Sequence, residues 1–143
     1  MSDQKADVEK LLDVLIPFAE KMLATNGEFL PFGGAMKPGG EIASIAGYDG
    51  REQPPSQDLI DLLAEGLQRG AAAGEYMATA IVYDVRVRPP GQADVSDAIA
   101  AELEHQGGYA ATVVFPYRID AGSPQLSAPY ATGPRRSIFG QSA

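Results

Sequence analysis

The sequence predicts an α+β fold, in which a five-stranded antiparallel sheet carries two main helices on one face, in the order α-β-β-α-β-β-β. Two segments have apolar residues three and four positions apart, which is the period of an amphipathic helix. Residues 76–88 alternate at every second position, as a strand does. This order of elements folds naturally as a sheet with helices packed against it. We therefore expect one domain over residues 1–119 and a tail over residues 120–143.

The first helix is predicted from an apolar stripe near the N-terminus. The stripe consists of Val8, Leu11, Leu12, Leu15, Ala19, Met22 and Leu23. Asn26-Gly27 supplies the left-handed residue that commonly ends such a helix. Pro17 lacks a backbone N–H and clashes with the carbonyl of Asp13, so we expect a kink or a break at this position.

Residues 28–48 are predicted to form a β-hairpin. The turn Lys37-Pro38-Gly39-Gly40 has proline second and glycine third, as a type II turn requires. Pro31 cannot donate to a strand ladder, so the first strand should lie at a sheet edge or carry a bulge. Asp49-Gly50 then marks a turn, and we expect a loop from there to Pro54-Pro55.

A second helix and the clearest strand follow. Ser56 is a predicted N-cap, and the helix ends at Gly74. Its apolar stripe is formed by Leu59, Ile60, Leu63 and Leu67. Residues 76–88 are the clearest strand because their alternation is strict, and Pro89-Pro90-Gly91 ends it.

Residues 95–119 allow two interpretations. A helix would run from Ser96 to Gly107, with apolar residues four apart. A β-hairpin would turn at Gln106-Gly107-Gly108 and return along residues 109–119. We favour the hairpin, because the long preceding strand and the long returning strand both need an antiparallel neighbour.

The chain from Asp120 onward is rich in glycine, serine and proline, and its apolar residues are isolated. Such a composition predicts a flexible tail that is partly disordered or docked. Ile138-Phe139, flanked by Arg135-Arg136, is the part expected to dock on the body or on another molecule.

Two groups of residues resemble a bacterial family of uncharacterised domains. The first group is Phe29-Leu30-Pro31-Phe32-Gly33 with Pro38-Gly39-Gly40-Glu41-Ile42. The second is Asp97-Ala98-Ile99, Leu103-Glu104-His105, Gly108 and Phe115-Pro116-Tyr117. The resemblance covers residues 8–119 and implies a fold without an established activity. The order of elements is also similar to that of roadblock and profilin-like domains, as a topological analogy with no shared motif.

The composition excludes several functions. Eleven basic residues against nineteen acidic ones give a net charge of −8, which argues against binding to nucleic acid and to anionic membranes. The absence of cysteine removes disulfides, thiolate nucleophiles and zinc–sulfur sites. The N-terminus lacks the pattern of a signal peptide, and the apolar stretches fall short of the ~20 residues of a membrane helix. We therefore expect a cytoplasmic protein.

His105 is the only histidine, and Glu102 and Glu104 lie close to it in the sequence. His105 and Glu104 are therefore the candidates for acid–base catalysis. In a strand, however, both glutamates share one face while His105 points to the other, so we favour a turn residue and expect no metal site. Gly33-Gly34 and Gly39-Gly40 match neither a dinucleotide fingerprint nor a P-loop, and we expect no cofactor.

Arginines offer the remaining candidates for ligand binding. Arg86, Arg88 and Arg118, with Tyr117 beside them, would bind a small anion or an acidic partner if two strands brought them to one side. The alternative is a solvated face on which nearby carboxylates pair with the arginines. Ser44, Ser56 and Ser96 have no evident acid–base partners in the sequence, so we do not predict a serine nucleophile among them.

Aromatic residues lie in the predicted strands or the turns beside them, and about a third are expected at the surface as interface anchors. The set is Phe29, Phe32, Tyr48, Tyr83, Phe115 and Tyr117. We therefore predict a non-catalytic interaction domain that uses a sheet edge or a helix pair, as a homodimer or as a toxin-neutralising immunity protein. The alternative is a small-molecule-binding protein or enzyme with a pocket between sheet and helices, formed by His105, Glu104, Tyr117 and Arg118.

Overall fold

The computed structural model describes residues 3–46 and 55–140, which form two helices and seven strands. The helices are α1 (Gln4–Asn26) and α2 (Ser56–Ala72). The strands are β1 (Phe32–Met36), β2 (Ile42–Ala46), β3 (Ala78–Val87), β4 (Ser96–His105), β5 (Ala110–Asp120), β6 (Ser123–Leu126) and β7 (Tyr130–Thr132). The α+β class is confirmed. The interpretations of Tyr48 and of the turn at Asp49-Gly50 lie outside the described residues.

The strands form one antiparallel sheet in the order β2-β1-β3-β4-β5-β6, and β7 also pairs with β5. The predicted number of five strands is wrong, because β6 and β7 lie in the region expected to be a flexible tail. β6 is short, and a tight turn leads into it with positive φ at both Ala121 and Gly122. Alanine gives no sequence signal for such a turn, so the strand was not predicted.

The two helices pack on opposite faces of the sheet, so the prediction of one shared face is wrong. Ala78, Ala80 and Val82 of β3 join the core cluster of α1. Ile81 and Tyr83, which alternate with them, join the cluster of α2. Every residue from Ala78 to Tyr83 is buried, as in a strand that is covered on both sides. The result is three layers, with the sheet between α1 and α2.

Helix α1 runs unbroken through Pro17, so the expected break does not occur. Pro17 has no N–H to donate to the carbonyl of Asp13. Both residues are exposed, so this carbonyl lies on the outer side of the helix. The predicted end is confirmed: Gly27 has a φ of 78° and its N–H donates to the carbonyl of Leu23. The buried stripe is close to the predicted one and contains Val8, Leu11, Leu15, Ile16, Ala19 and Leu23.

The hairpin of β1 and β2 is present, but its turn and its position differ from the prediction. Gly40 has the positive φ of 95°, Gly39 does not, and Lys37 accepts a bond from the Gly40 N–H at 2.8 Å. This is a type I turn followed by a glycine bulge rather than a type II turn. β1 lies inside the sheet, between β2 and β3, because the strand begins only after Pro31.

The region that allowed two interpretations is a hairpin, as favoured. β4 pairs with β3 over its whole length and with β5 from Asp97 to Glu104. Ile99 and Leu103 face α1, while Ala100 faces α2. α2 begins at Ser56, so the predicted N-cap is wrong: Pro55 occupies the N-cap position, and no side-chain cap bond is made there. Neither of the two described helices is both long and apolar enough to cross a membrane.

Candidate functional site

His105 is buried at the end of β4, where both of its ring nitrogens are engaged. Its Nδ1 accepts a hydrogen bond from the Gly107 N–H at 3.0 Å, and its Nε2 lies 2.9 Å from Asp7 Oδ2. We assign the ring proton to Nε2 from these bonds, since Nδ1 is an acceptor. The ring therefore has no free nitrogen for general-base chemistry. It joins the first turn of α1 to the β4–β5 turn, where Gln4 Oε1 also accepts from the Tyr109 N–H.

Glu102 and Glu104 lie on the opposite face of the sheet from His105, as the strand interpretation predicts. The Tyr83 hydroxyl and Arg136 Nε each donate to the Glu102 carboxylate at 2.6 Å. The N–H groups of Ile138 and Phe139 each donate to one Glu104 oxygen at 2.9 Å. Both glutamates are therefore engaged with the C-terminal part of the chain.

A cleft of about 460 Å³ lies at the β4–β5 turn, and its lining includes Glu104, His105 and Arg136. Tyr117 and Arg118 do not line it. Tyr117 pairs with Asp97, near the start of β4, whereas Glu104 and His105 lie at the end of that strand. The four residues of the predicted pocket therefore do not converge on one cavity.

The predicted arginine cluster does not form. Arg86 is exposed and lies 3.5 Å from Asp97, its cross-strand neighbour. Arg88 donates from Nε to the carbonyl of Ala93 at 3.1 Å. Arg118 follows Tyr117 along β5, so it points to the opposite face from Tyr117. This alternation separates Arg118 from the other two arginines.

Two buried tyrosines donate to carboxylates, one on each side of the sheet. Burial raises the pKa of Tyr83 above its ordinary value of 10.0, and the hydrogen bond to Glu102 raises it further. Burial also raises the pKa of Tyr117, whose hydroxyl donates to Asp84 at 2.6 Å. Burial raises the pKa of Asp84 as well, and the hydrogen bond from Tyr117 opposes this effect.

These tyrosines predict a loss of stability in alkali. Well below pH 10.0, their ordinary pKa, both phenols are protonated in the folded and the unfolded chain. Above pH 10.0 the phenols of the unfolded chain lose their protons before those of the folded chain. The free energy of unfolding therefore falls as the pH rises, by up to about 1.4 kcal/mol per pH unit for each tyrosine. Urea unfolding at rising pH should give a shallower loss for Tyr83→Phe than for the wild type. Equal slopes would contradict the assignment.

Strand β2 forms an outer edge of the sheet and has no protection within itself. Its sequence, Ile42-Ala43-Ser44-Ile45-Ala46, contains neither a charge nor a proline. β1 pairs with its inner side, and no other described strand pairs with it. Natural sheets usually protect such an edge with a charge, a proline or a bulge. Within residues 3–46 and 55–140, the outer side of this strand is therefore open to a further strand.

Helix α1 exposes two large apolar side chains on the flank nearest β1. Val14 is 46 % exposed and Phe18 is 44 % exposed. The Phe18 ring lies edge-on to Phe32 of β1, with the ring centroids 5.2 Å apart. Both residues were missed in the sequence because they lie beside the core stripe rather than on it. Their spacing of four on one helix face is the signal that could have identified them.

The aromatic set chosen from the sequence is mainly core. Phe29, Phe32, Tyr83 and Tyr117 are buried, and Phe115 is half-buried. Among the residues that the structure describes, the exposed aromatic side chain is Phe18, which was outside the set. The surface that these observations single out combines the β2 edge with Val14 and Phe18.

Searches for similar proteins returned no match among protein-family models, curated proteins or solved structures. The described residues also contain no group of three or more histidine, aspartate or glutamate side chains arranged to hold a metal ion.

Proposed function

We propose that this protein is a non-catalytic interaction domain that forms a homodimer through strand β2. The observation that carries the proposal is an outer strand without charge or proline, next to two exposed apolar side chains on α1. Addition of a strand at such an edge supplies main-chain hydrogen bonds, and flanking apolar contacts supply buried area. The engagement of His105, Glu102 and Glu104 in internal hydrogen bonds supports a role without catalysis.

The sequence of β2 suits pairing with a second copy of itself. In an antiparallel pair centred on Ser44, Ile42 would lie opposite Ala46, and Ala43 would lie opposite Ile45. Each large side chain would then meet a small one, as the self-complementary surface of a twofold dimer requires. The sheets of the two copies would form one continuous sheet. Each β2 strand would then supply the backbone hydrogen-bond partners that the other lacks.

The flank of α1 extends the same surface. Phe18 contacts Phe32 of β1, Val14 lies four positions earlier on the same face of α1, and α1 also contacts β2. A single five-residue strand buries too little area for a stable interface, for which about 800 Å² per partner is typical. The apolar flank supplies part of the additional area, and aromatic side chains such as Phe18 are common interface anchors.

Ser44→Lys is expected to abolish or strongly weaken the dimer. Ser44 is exposed at the centre of β2, so two lysines would lie opposite each other across the twofold axis, where like charges are destabilising. Sedimentation velocity over a range of protein concentrations should show a dimer for the wild type and a monomer for the variant. We expect a dissociation constant at least about tenfold higher, equivalent to about 1.4 kcal/mol.

Gln125→Lys is the matched control, because Gln125 is exposed on β6 at the opposite edge of the sheet. This variant should dimerise as the wild type does. A wild-type protein that stays monomeric at every concentration would overturn the proposal. So would a dimer that tolerates Ser44→Lys and dissociates with Gln125→Lys instead.

A further inference from the structure

The C-terminal segment, residues 133–140, covers part of the face of the sheet on which α2 packs. α2 contacts β1 and β3 on its face of the sheet, and the C-terminal segment lies beside it over β4. Gln68 of α2 donates to the carbonyl of Ser137 at 2.7 Å. Thr112 of β5 donates to the carbonyl of Gly133 at 3.1 Å. The C-terminal segment thus lies in a groove between α2 on one side and strands β4 and β5 on the other.

The floor of this groove carries two buried carboxylates whose partners come mainly from the C-terminal segment. Glu102 and Glu104 are each only 8 % exposed. Within the described residues, Glu104 is bonded by the N–H groups of Ile138 and Phe139, and Arg136 is the cation paired with Glu102. Without the segment, Tyr83 would be the remaining partner of Glu102. The C-terminal segment helps to bury these two charges and also supplies their partners, so a peptide that replaced it would have to bring equivalent donors.

The groove also selects side chains by shape. Ile138 is buried in the cluster that α2 forms with β3 and β4, and Phe139 packs against that cluster. Arg136 lies between Glu102 and Asp61 of α2. Ser137, between these two anchors, has a buried hydroxyl with no hydrogen-bond partner. The features that the groove recognises are therefore an arginine, an aliphatic residue two positions later, and the backbone N–H groups of that aliphatic residue and of the next one.

We propose that this groove is a peptide-binding site for an arginine-containing segment of a partner protein, and that the C-terminal segment is an internal occupant which the partner displaces. A permanent cover does not require buried ion pairs, because well-packed apolar residues in their place are often as stable or more stable. The unpaired Ser137 hydroxyl also leaves the internal occupant imperfectly matched. A net charge of −8 favours a basic partner. The site lies away from β2 and does not depend on the proposed dimer.

The first test uses the full chain with Arg136→Ala and a labelled synthetic peptide of residues 133–143. The variant keeps the groove but weakens its own occupant, so the peptide should bind it about tenfold more tightly than it binds the wild type. A peptide with Arg136→Ala is the matched control and should bind about tenfold more weakly. Adding Glu102→Gln to the protein should weaken binding to a similar degree, while the bond from Tyr83 can remain.

The second measurement uses the unmodified chain, in case Arg136→Ala does not fold. In native hydrogen exchange, the amides of Ile138 and Phe139 should exchange at least about a hundredfold faster than that of Ile99 in the core. Equal rates would mean that the C-terminal segment opens only when the whole domain unfolds, and would overturn the proposal. So would a folded Arg136→Ala chain that does not bind the peptide, or binding that is insensitive to Glu102→Gln. If Ser44→Lys chains still formed dimers by exchanging their C-terminal segments, the occupant of the groove would be a second copy of this chain and not a different partner protein.

Discussion

His105→Ala is expected to lower the free energy of unfolding by about 3 kcal/mol. The ring is 2 % exposed, so its removal leaves a cavity in the core. It also leaves the Asp7 carboxylate and the Gly107 N–H without the partners that they have 2.9 Å and 3.0 Å away. Chemical denaturation followed by circular dichroism measures the loss.

Gln106→Ala is the control for this prediction, because Gln106 is the next residue and is exposed. It should change the stability by about 0.5 kcal/mol or less. A double-mutant cycle of His105→Ala with Asp7→Ala should give a coupling of about 1 kcal/mol or more. A loss below about 1 kcal/mol for His105→Ala, with no coupling to Asp7, would contradict the structural role given to this histidine.

Gly34→Ala is expected to lower the free energy of unfolding by about 2 kcal/mol. A Cβ at Gly34 would lie 2.5 Å from Leu15 Cδ1 and 3.1 Å from Leu15 Cγ. Leu15 is fully buried in α1, so it can move only by displacing the helix or its neighbours. Thermal and urea unfolding of the variant measure the effect.

Gly33→Ala is a matched control for the same strand. A Cβ added at Gly33 would face α2. It would lie 3.5 Å from Leu63 and 3.4 Å from the carbonyl oxygen of Ala80, and both distances are ordinary contacts. Its stability should stay level or rise slightly, because alanine restricts the unfolded chain. Equal losses for the two variants would contradict the arrangement of one helix on each face.

The polar residues that first suggest chemistry have structural partners. His105 connects α1 to the β4–β5 turn, and Glu102 and Glu104 hold the C-terminal segment. Arg86 pairs with its cross-strand neighbour Asp97. Of the two proposed interaction surfaces, the uncharged β2 edge lies apart from these residues, whereas Glu102 and Glu104 form the floor of the groove that the C-terminal segment fills.

The elements with a regular local pattern could be predicted from the sequence. The apolar stripe of α1, the left-handed Gly27 and the alternation through β3 each depend on residues close together in the chain. The β4–β5 hairpin was favoured over a helix because two long strands needed an antiparallel neighbour, and its alternation then places Glu102 and Glu104 opposite His105. Periodicity alone determines which side chains share a face, so these parts required no knowledge of distant contacts.

The sequence by itself therefore determined the α+β class, both helices and the faces of the central strands. Only the tertiary structure decided that α1 and α2 cover opposite sides, since strands such as β3 are apolar on both faces. It also decided the partners of His105, Glu104 and Arg136. Each of these residues is separated from its partner by between 34 and 98 positions in the chain. Burial and pairing at such separations depend on how all the elements pack, and local composition carries no record of that packing.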